Sequence, residues 1–494
     1  MTKAFPTLFP NGEGDFYHAH EHKISLGQYF SHLLQFWDEQ FAHHKRFPWF
    51  AFNTLQCHRS CDLSKVFVKQ QHTEDRMTAA QLRQHISEGG ENITNNMLRY
   101  KAHLWGTRAF WLAQRKELID QIQVLGTPHV FFMLSAADLQ WPDLHKHMPN
   151  KIDVLDQDTC AAHWQKRLAV EQNPHLAASY LNERLKLFMK YILLPTLNIH
   201  DFWYHYEWQE RGSGHIHGFL WVKDTPDVEK IDWDILKNKD RVVADDQQRL
   251  MDDFVKFWDT LITATNPFPW QDENTPLLGQ HPCNKDRNTL QNTKGELANL
   301  LNWVEWHTKC MPGYCQVKWK VPGQDQPYVL CCFDYPMDCH NDAQVGLDSK
   351  FRVRFEPHRN DRLLNSYNAP IILTWRANID IKPVLSKDAA ISWVTGFTLT
   401  LLNSHCHRYI AKYTSKAESQ ESSFPDLLSN IVNNMDENCS AQSACQKLLN
   451  KLIGEQVYSA QETAYLLLEL PLVHSSTSFQ TLFLASEGST VWGN

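Results

Sequence analysis

The sequence has no run of about 18 apolar residues of the kind that crosses a bilayer, and no basic-then-apolar leader opens it. A membrane-spanning helix is therefore not expected, and the chain reads as intracellular. Cysteine is sparse: twelve in 494 residues are too few for a disulfide scaffold, so they are expected to be thiols or metal ligands. Positive charge is short as well. The formal net charge of −8 argues against a protein that coats nucleic acid along its whole surface. Internal repeats, low-complexity tracts and a G-x-x-x-x-G-K-[ST] phosphate loop are all lacking, which excludes a P-loop motor within this chain.

What is present is an ordinary globular balance, 43% apolar and 21% charged, with length enough for two to four domains. Charge is uneven along it. Residues 350–416 hold eleven Lys or Arg against four acids, a local surplus of seven, while the acids gather after Asp224 and after Glu418. A basic stripe on an acidic body suits a nucleic-acid channel, and equally a solvated face.

Apolar spacing predicts helices over 26–41 and 77–119, a strand over 129–134 after the turn Gly126-Thr127-Pro128, and a long amphipathic helix over 174–194. A hairpin follows, with strands 201–209 and 215–222 about the turn Glu210-Arg211-Gly212-Ser213-Gly214. Residues 224–292 are polar and read as an excursion from the core. Further strands are expected at 350–355 and 370–375, then a helix near 408–417.

On the second hairpin strand, His215 and His217 stand at i, i+2 and share one face, where two imidazoles can chelate a divalent ion. Glu207 and Gln209 share a face on the opposite strand and are candidates for a third, oxygen ligand. Two imidazoles and one oxygen leave positions open for a substrate phosphate. Later, Tyr409 and Tyr413 stand at i, i+4 on an expected helix, with Lys412 and Lys416 on the adjoining face. A phenol oxygen is a competent nucleophile at phosphorus, and ammonium groups beside it hold phosphate. Each pair alone is weak, since tyrosines at helical spacing are commonly packing residues; together they compose a phosphodiester-transfer site.

His307, Cys310, Cys315 and Cys331 make H-x2-C-x4-C-x15-C, with Cys332, Cys339 and His340 nearby, a spacing able to hold one structural Zn²⁺. Cys57, Cys61, Cys439 and Cys445 read as ordinary thiols.

Three segments now resemble, in order, the motifs of the Helitron Rep region, often called the Helitron helicase-like domain: Phe131-Phe132-Met133-Leu134-Ser135-Ala136-Ala137-Asp138-Leu139-Gln140-Trp141-Pro142, Glu207-Trp208-Gln209-Glu210-Arg211-Gly212-Ser213-Gly214-His215-Ile216-His217-Gly218, and Tyr409-Ile410-Ala411-Lys412-Tyr413-Thr414-Ser415-Lys416. Further matches are Arg359-Asn360-Asp361, Leu364-Asn365, Trp375-Arg376-Ala377-Asn378-Ile379-Asp380 and Tyr458-Ser459-Ala460-Gln461-Glu462. The resemblance implies an α+β fold with a HUH-type antiparallel sheet, Mg²⁺ or Mn²⁺ held by His215 and His217, and paired nucleophiles Tyr409 and Tyr413. It also implies a 5′-phosphotyrosine intermediate on single-stranded DNA at transposon ends; since the phosphate loop of the family's helicase half is lacking, either a helicase is supplied by another chain or the chain is a fragment or a decayed element, and a nuclear location is expected. One departure stands out: residues 392–407 intervene where the family runs almost directly into the tyrosine motif, and read either as an insertion or as a translated intron.

The organisation expected on these grounds is a helical region over 1–125, half of the HUH core over 126–223, a Cys/His-bearing insertion over 224–345, the second half with the tyrosine helix over 346–418, and a helical tail over 419–494. The expected function is a nicking and rejoining endonuclease of rolling-circle-like transposition. The alternatives are an inactive DNA-binding or interaction remnant, and a metal-dependent hydrolase that activates water.

Overall fold

The structure is a computed structural model that describes residues 1–70, 105–149, 160–208, 212–237, 243–270, 280–285, 293–308, 310–312, 314–319, 328–348, 352–395 and 458–478, with a few isolated positions besides. It is an α+β protein built on a five-stranded antiparallel sheet. The strands are β1 (Val130–Ser135), β2 (Ile199–Trp208), β3 (Gly214–Val222), β8 (Ile379–Pro383) and β9 (Val473–Ser475), in the order β8-β1-β3-β2-β9. Two small antiparallel pairs stand apart from it: β4 (Gln316–Trp319) with β5 (Tyr328–Cys331), and β6 (Gln344–Leu347) with β7 (Val353–Glu356).

Strand β3 is the middle strand and β2 lies beside it, both buried along most of their length. Helix α1 (Leu26–Leu34), helix α2 (Phe47–Gln70), helix α3 (Arg108–Leu125) and helix α4 (Pro174–Phe188) precede or flank this hairpin. Pro174 lies in the first turn of α4, where a missing N–H costs nothing, and the helix runs on through a π turn, Met189–Leu193. One sheet face carries Val130, Phe132, Leu134, Tyr204, Tyr206, Trp208, Ile216 and Leu220 into the main core with Ala178, Leu181 and Leu185 of α4 and with Tyr465. That tyrosine belongs to the late helix Ala460–Leu467. The other face carries Phe131, Trp203, Phe219 and Trp221 into a smaller cluster with Leu118 and Ile122 of α3 and with Val384 and Ala390.

Gly218 is fixed by close approach. A Cβ there would lie 2.4 Å from the Trp203 carbonyl oxygen and 2.6 Å from the Phe132 ring, so the hairpin and β1 close only over a hydrogen. In the turn, Gly212 has φ +83°, a conformation that favours glycine.

Two sequence expectations need correction. Residues 370–375 are not a strand but part of a helix, Ala369–Trp375: the Asn368 side chain caps it by accepting from the Ile371 N–H, Pro370 occupies its first turn, and Ile371, Ile372 and Trp375 form its buried stripe. A short apolar run satisfies either period, and the cap decides. The strand comes directly afterwards, at Ile379–Pro383. Residues 26–41 do not form one helix either; α1 stops at Leu34 and the chain turns through Glu39, with φ 55°, before a short helix Gln40–His43. Of the helix expected over 77–119, Arg108–Leu125 is described and residues 85–104 lie outside the described residues.

The basic stretch does not form a bare strip among the described residues. Arg352 pairs with Asp348, Arg354 with Asp334 and Glu356, Arg362 with Asp338, and Lys382 with Asp380. Arg376 is buried against Glu296, and buried Arg359 donates to the Asp361 and Leu364 carbonyls. These cations are spent on structure.

Candidate functional site

Antiparallel register decides which side chains meet. Across the hairpin Glu207 opposes His215 and His205 opposes His217; on the other side His215 opposes Ser135 and His217 opposes Met133. Met133 in turn opposes Asp380. Directly opposed residues point to one face, so the sheet presents a row Glu207, His215, Ser135 beside a row His205, His217, Met133, Asp380. Both rows lie on the face of the smaller cluster: Met133 packs against it, and the Phe131 ring lies 6.3 Å from that of His217.

His217 is buried and its Nε2 lies 3.4 Å from the Glu207 Oε2. Donors on one ion at about 2.0–2.2 Å stand roughly 3.0–3.5 Å apart, so this gap is one that a shared cation spans. His215 is half-buried, and its ring centroid lies 6.4 Å from that of His217. Burial pushes His215 down to about 4, and burial together with the neighbouring His205 and His215 holds His217 well below the ordinary imidazole range. Both rings are therefore neutral at pH 7, the form that ligates metal.

Ser135 is the hydrogen-bond partner of His215. Its Oγ lies 3.1 Å from His215 Nδ1 and 3.3 Å from the Met133 sulfur. A hydroxyl has one proton; given to sulfur, it leaves the oxygen to accept from Nδ1–H, and Nε2 keeps its lone pair for a ligand.

Sequence reasoning passed over His205. Its ring stacks on His217 at 5.6 Å between centroids, it is buried, and burial pushes it down to about 4. The signal was available, because His205 shares period two with Glu207. Asp380 is a second such residue, brought to the row only by the pairing of β8 with β1. Gln209, Tyr409, Lys412, Tyr413 and Lys416 lie outside the described residues.

The cysteine segment folds into a compact group. The donor atoms of His307, Cys310, Cys315 and Cys331 all lie within 4.8 Å of one another, the one such group of His, Cys, Asp or Glu among the described residues. Cys332, adjacent in sequence, is outside this set.

With this geometry in place, residues 29–220 match the family model described as the Helitron helicase-like domain at N-terminus. This region is Helitron-related. The match runs through β1, the whole of β2 and most of β3, so the Helitron-like region includes Ser135, His205, Glu207, His215 and His217. No curated protein matches the chain. The likeness to a transposon-related domain belongs to residues 29–220, and no helix among the described residues is long and apolar enough to cross a membrane.

The remaining resemblance motifs prove to be joints of the fold. Trp141 Nε1 donates to the Arg376 carbonyl and Trp375 Nε1 to that of Ser135, with the Arg184 guanidinium over both indoles. Asn365 Nδ2 donates to the Ile379 carbonyl and the Glu305 carboxylate.

Proposed function

We propose that the chain nicks and rejoins single-stranded DNA as a two-tyrosine HUH endonuclease of the Helitron type, in rolling-circle-like transposition. The observation that carries this reading is the sharing of one sheet face. Helix Lys387–Thr395 follows β8, and its Ala390 and Ile391 pack in the cluster on the face that bears His215 and His217. The tyrosine motif begins 14 residues beyond Thr395 in the sequence.

His215, His217 and Glu207 are the donors that would hold Mg²⁺ or Mn²⁺, with His205 and Asp380 beside them. Such an ion, when bound, supplies Lewis acidity to a non-bridging oxygen of the scissile phosphate. The chain supplies the rest. Ser135 holds the His215 tautomer, and burial keeps the imidazoles neutral. The phenol oxygen of Tyr409 or Tyr413 forms a bond to phosphorus as the P–O3′ bond breaks; the phenol proton leaves and the departing oxygen takes one up as a 3′-hydroxyl. The 5′-phosphotyrosine bond retains the energy of the broken ester, so rejoining needs no ATP. The second phenol is then available for the second cut, while Lys412 and Lys416 steady phosphates.

A labelled single strand incubated with the protein and Mn²⁺ tests the reading on a denaturing gel. A covalent protein–DNA adduct is expected, and it disappears in the double variant Tyr409→Phe, Tyr413→Phe and in His217→Ala. Cleavage without any adduct would instead support a water-activating hydrolase, and tight binding without cleavage an inert remnant.

A further inference from the structure

We propose that His307, Cys310, Cys315 and Cys331 bind one structural Zn²⁺ that clamps the β4–β5 hairpin to the segment supporting the first residue of β8. The four ligands come from three separate pieces of chain. His307 follows the π turn Leu301–Glu305, Cys310 and Cys315 flank the tight turn before β4, and Cys331 ends β5. The sulfurs of Cys315 and Cys331 each lie 3.5 Å from His307 Nε2. A tetrahedral zinc with Zn–S about 2.3 Å and Zn–N about 2.0–2.1 Å places sulfur and nitrogen roughly 3.5–3.6 Å apart, so the apparent hydrogen bonds have the spacing of two ligands on one ion. The His307 ring is fixed by stacking on Tyr335 at 4.4 Å and 14° between planes.

Four protein donors close a tetrahedron and leave no position for substrate, which makes the site structural. Sequence spacing left Cys331 and Cys332 as rivals; the structure assigns Cys331. The Cys332 amide instead donates to the Cys315 carbonyl at 2.7 Å, an arrangement that carries Cys331 to the cluster. A pair of four-residue strands is too small to hold itself together, and its apolar cover is little more than Cys315, Cys331, Cys332, Val317, Phe333 and Tyr335. A cation supplies what such a core lacks.

The clamp has a purpose beyond the hairpin. His307 N–H donates to the Leu363 carbonyl, and two residues earlier the Glu305 carboxylate accepts from the Ile379 N–H at 2.7 Å and from Asn365 and Asn378 amides. Ile379 opens β8, the strand that carries Asp380 to the histidine row.

Metal analysis of the purified full chain tests the proposal, independently of any nicking. About one zinc per chain is expected, with cobalt replacement giving thiolate charge-transfer and tetrahedral ligand-field bands. Cys310→Ser, at an exposed ligand, and Cys331→Ser should each lower zinc content at least tenfold under mild chelation, and Cys332→Ser should retain it. Absence of zinc from wild type after reconstitution, a Cys315–Cys331 disulfide by mass, or full retention of zinc in Cys310→Ser overturns the proposal. Should Cys331→Ser fail to fold, chelator titration of wild type and Cys310→Ser still decides.

Discussion

The buried carboxylate of Asp138 accepts a hydrogen bond from Gln461 Nε2 at 3.0 Å, across 323 positions of sequence. A second hydrogen bond reaches it from Ser213 in the hairpin turn. One side chain thereby joins the segment after β1, the hairpin that bears the histidines and the late helix Ala460–Leu467. Burial pushes Asp138 up to about 6 against these hydrogen bonds.

Because that pKa is raised, the folded state holds a proton that the unfolded chain releases near 3.9. The associated stability is present below about 4 and is lost as pH rises through about 6. Asp138→Asn should therefore be tolerated at pH 7 and should remove this part of the pH dependence, whereas Asp138→Ala should cost about 1–3 kcal/mol by stranding Gln461. Thermal melts at pH 4, 5, 6 and 7 check it; equal losses for Asn and Ala at every pH would refute the account.

The buried histidines work in the opposite direction. His145 and His175 are each pushed down to about 4, chiefly by burial, with Lys166 beside His145 and His43 beside His175. They fold neutral, so the stability they contribute is present above about 6.5 and drains away as pH falls through about 4. Melting temperature should fall across that interval, and less steeply in His145→Gln or His175→Gln. A wild-type profile flat from pH 6.5 to 4.5 would contradict it.

Ser135 contributes only through His215. Ser135→Ala should leave the fold intact and weaken Mn²⁺ binding at the hairpin about 10- to 100-fold, the usual scale for a partner that orients a ligating imidazole. Calorimetric titration of Mn²⁺ into wild type and variant measures this, and unchanged affinity would remove Ser135 from the site.

Gly218→Ala should destabilise the sheet by about 1–3 kcal/mol, since the added methyl meets backbone at Trp203 and the Phe132 ring, neither free to withdraw. Chemical denaturation reads the change directly. A stability within error of wild type would mean that the β1–β3 spacing relaxes without cost.

Much of the fold was legible because local rules are strong where the sequence is strongly patterned. Period two and a glycine turn placed the hairpin and the shared face of His215 and His217, and the observed strands start and stop within a residue or two of expectation. The helix from Pro174 announced itself by its proline and its apolar stripe. At Ala369–Trp375 the same kind of reading failed, because five consecutive apolar or β-branched residues carry no clear period and the Asn368 cap settles the matter.

The sequence by itself determined which chemistry is on offer: an H-x-H pair, a Cys3His set and two tyrosines at helical spacing. Tertiary structure alone decided who stands beside whom. Strand pairing brings His205, Ser135 and Asp380 into the histidine rows, the fold gathers Cys331 and not Cys332 beside His307, Cys310 and Cys315, and carboxylates scattered along the chain neutralise much of the basic stretch. The physical reason is range. Periodicity and capping act over a few residues, whereas sheet register and ion pairing join positions tens to hundreds apart, where only the closed core sets distance.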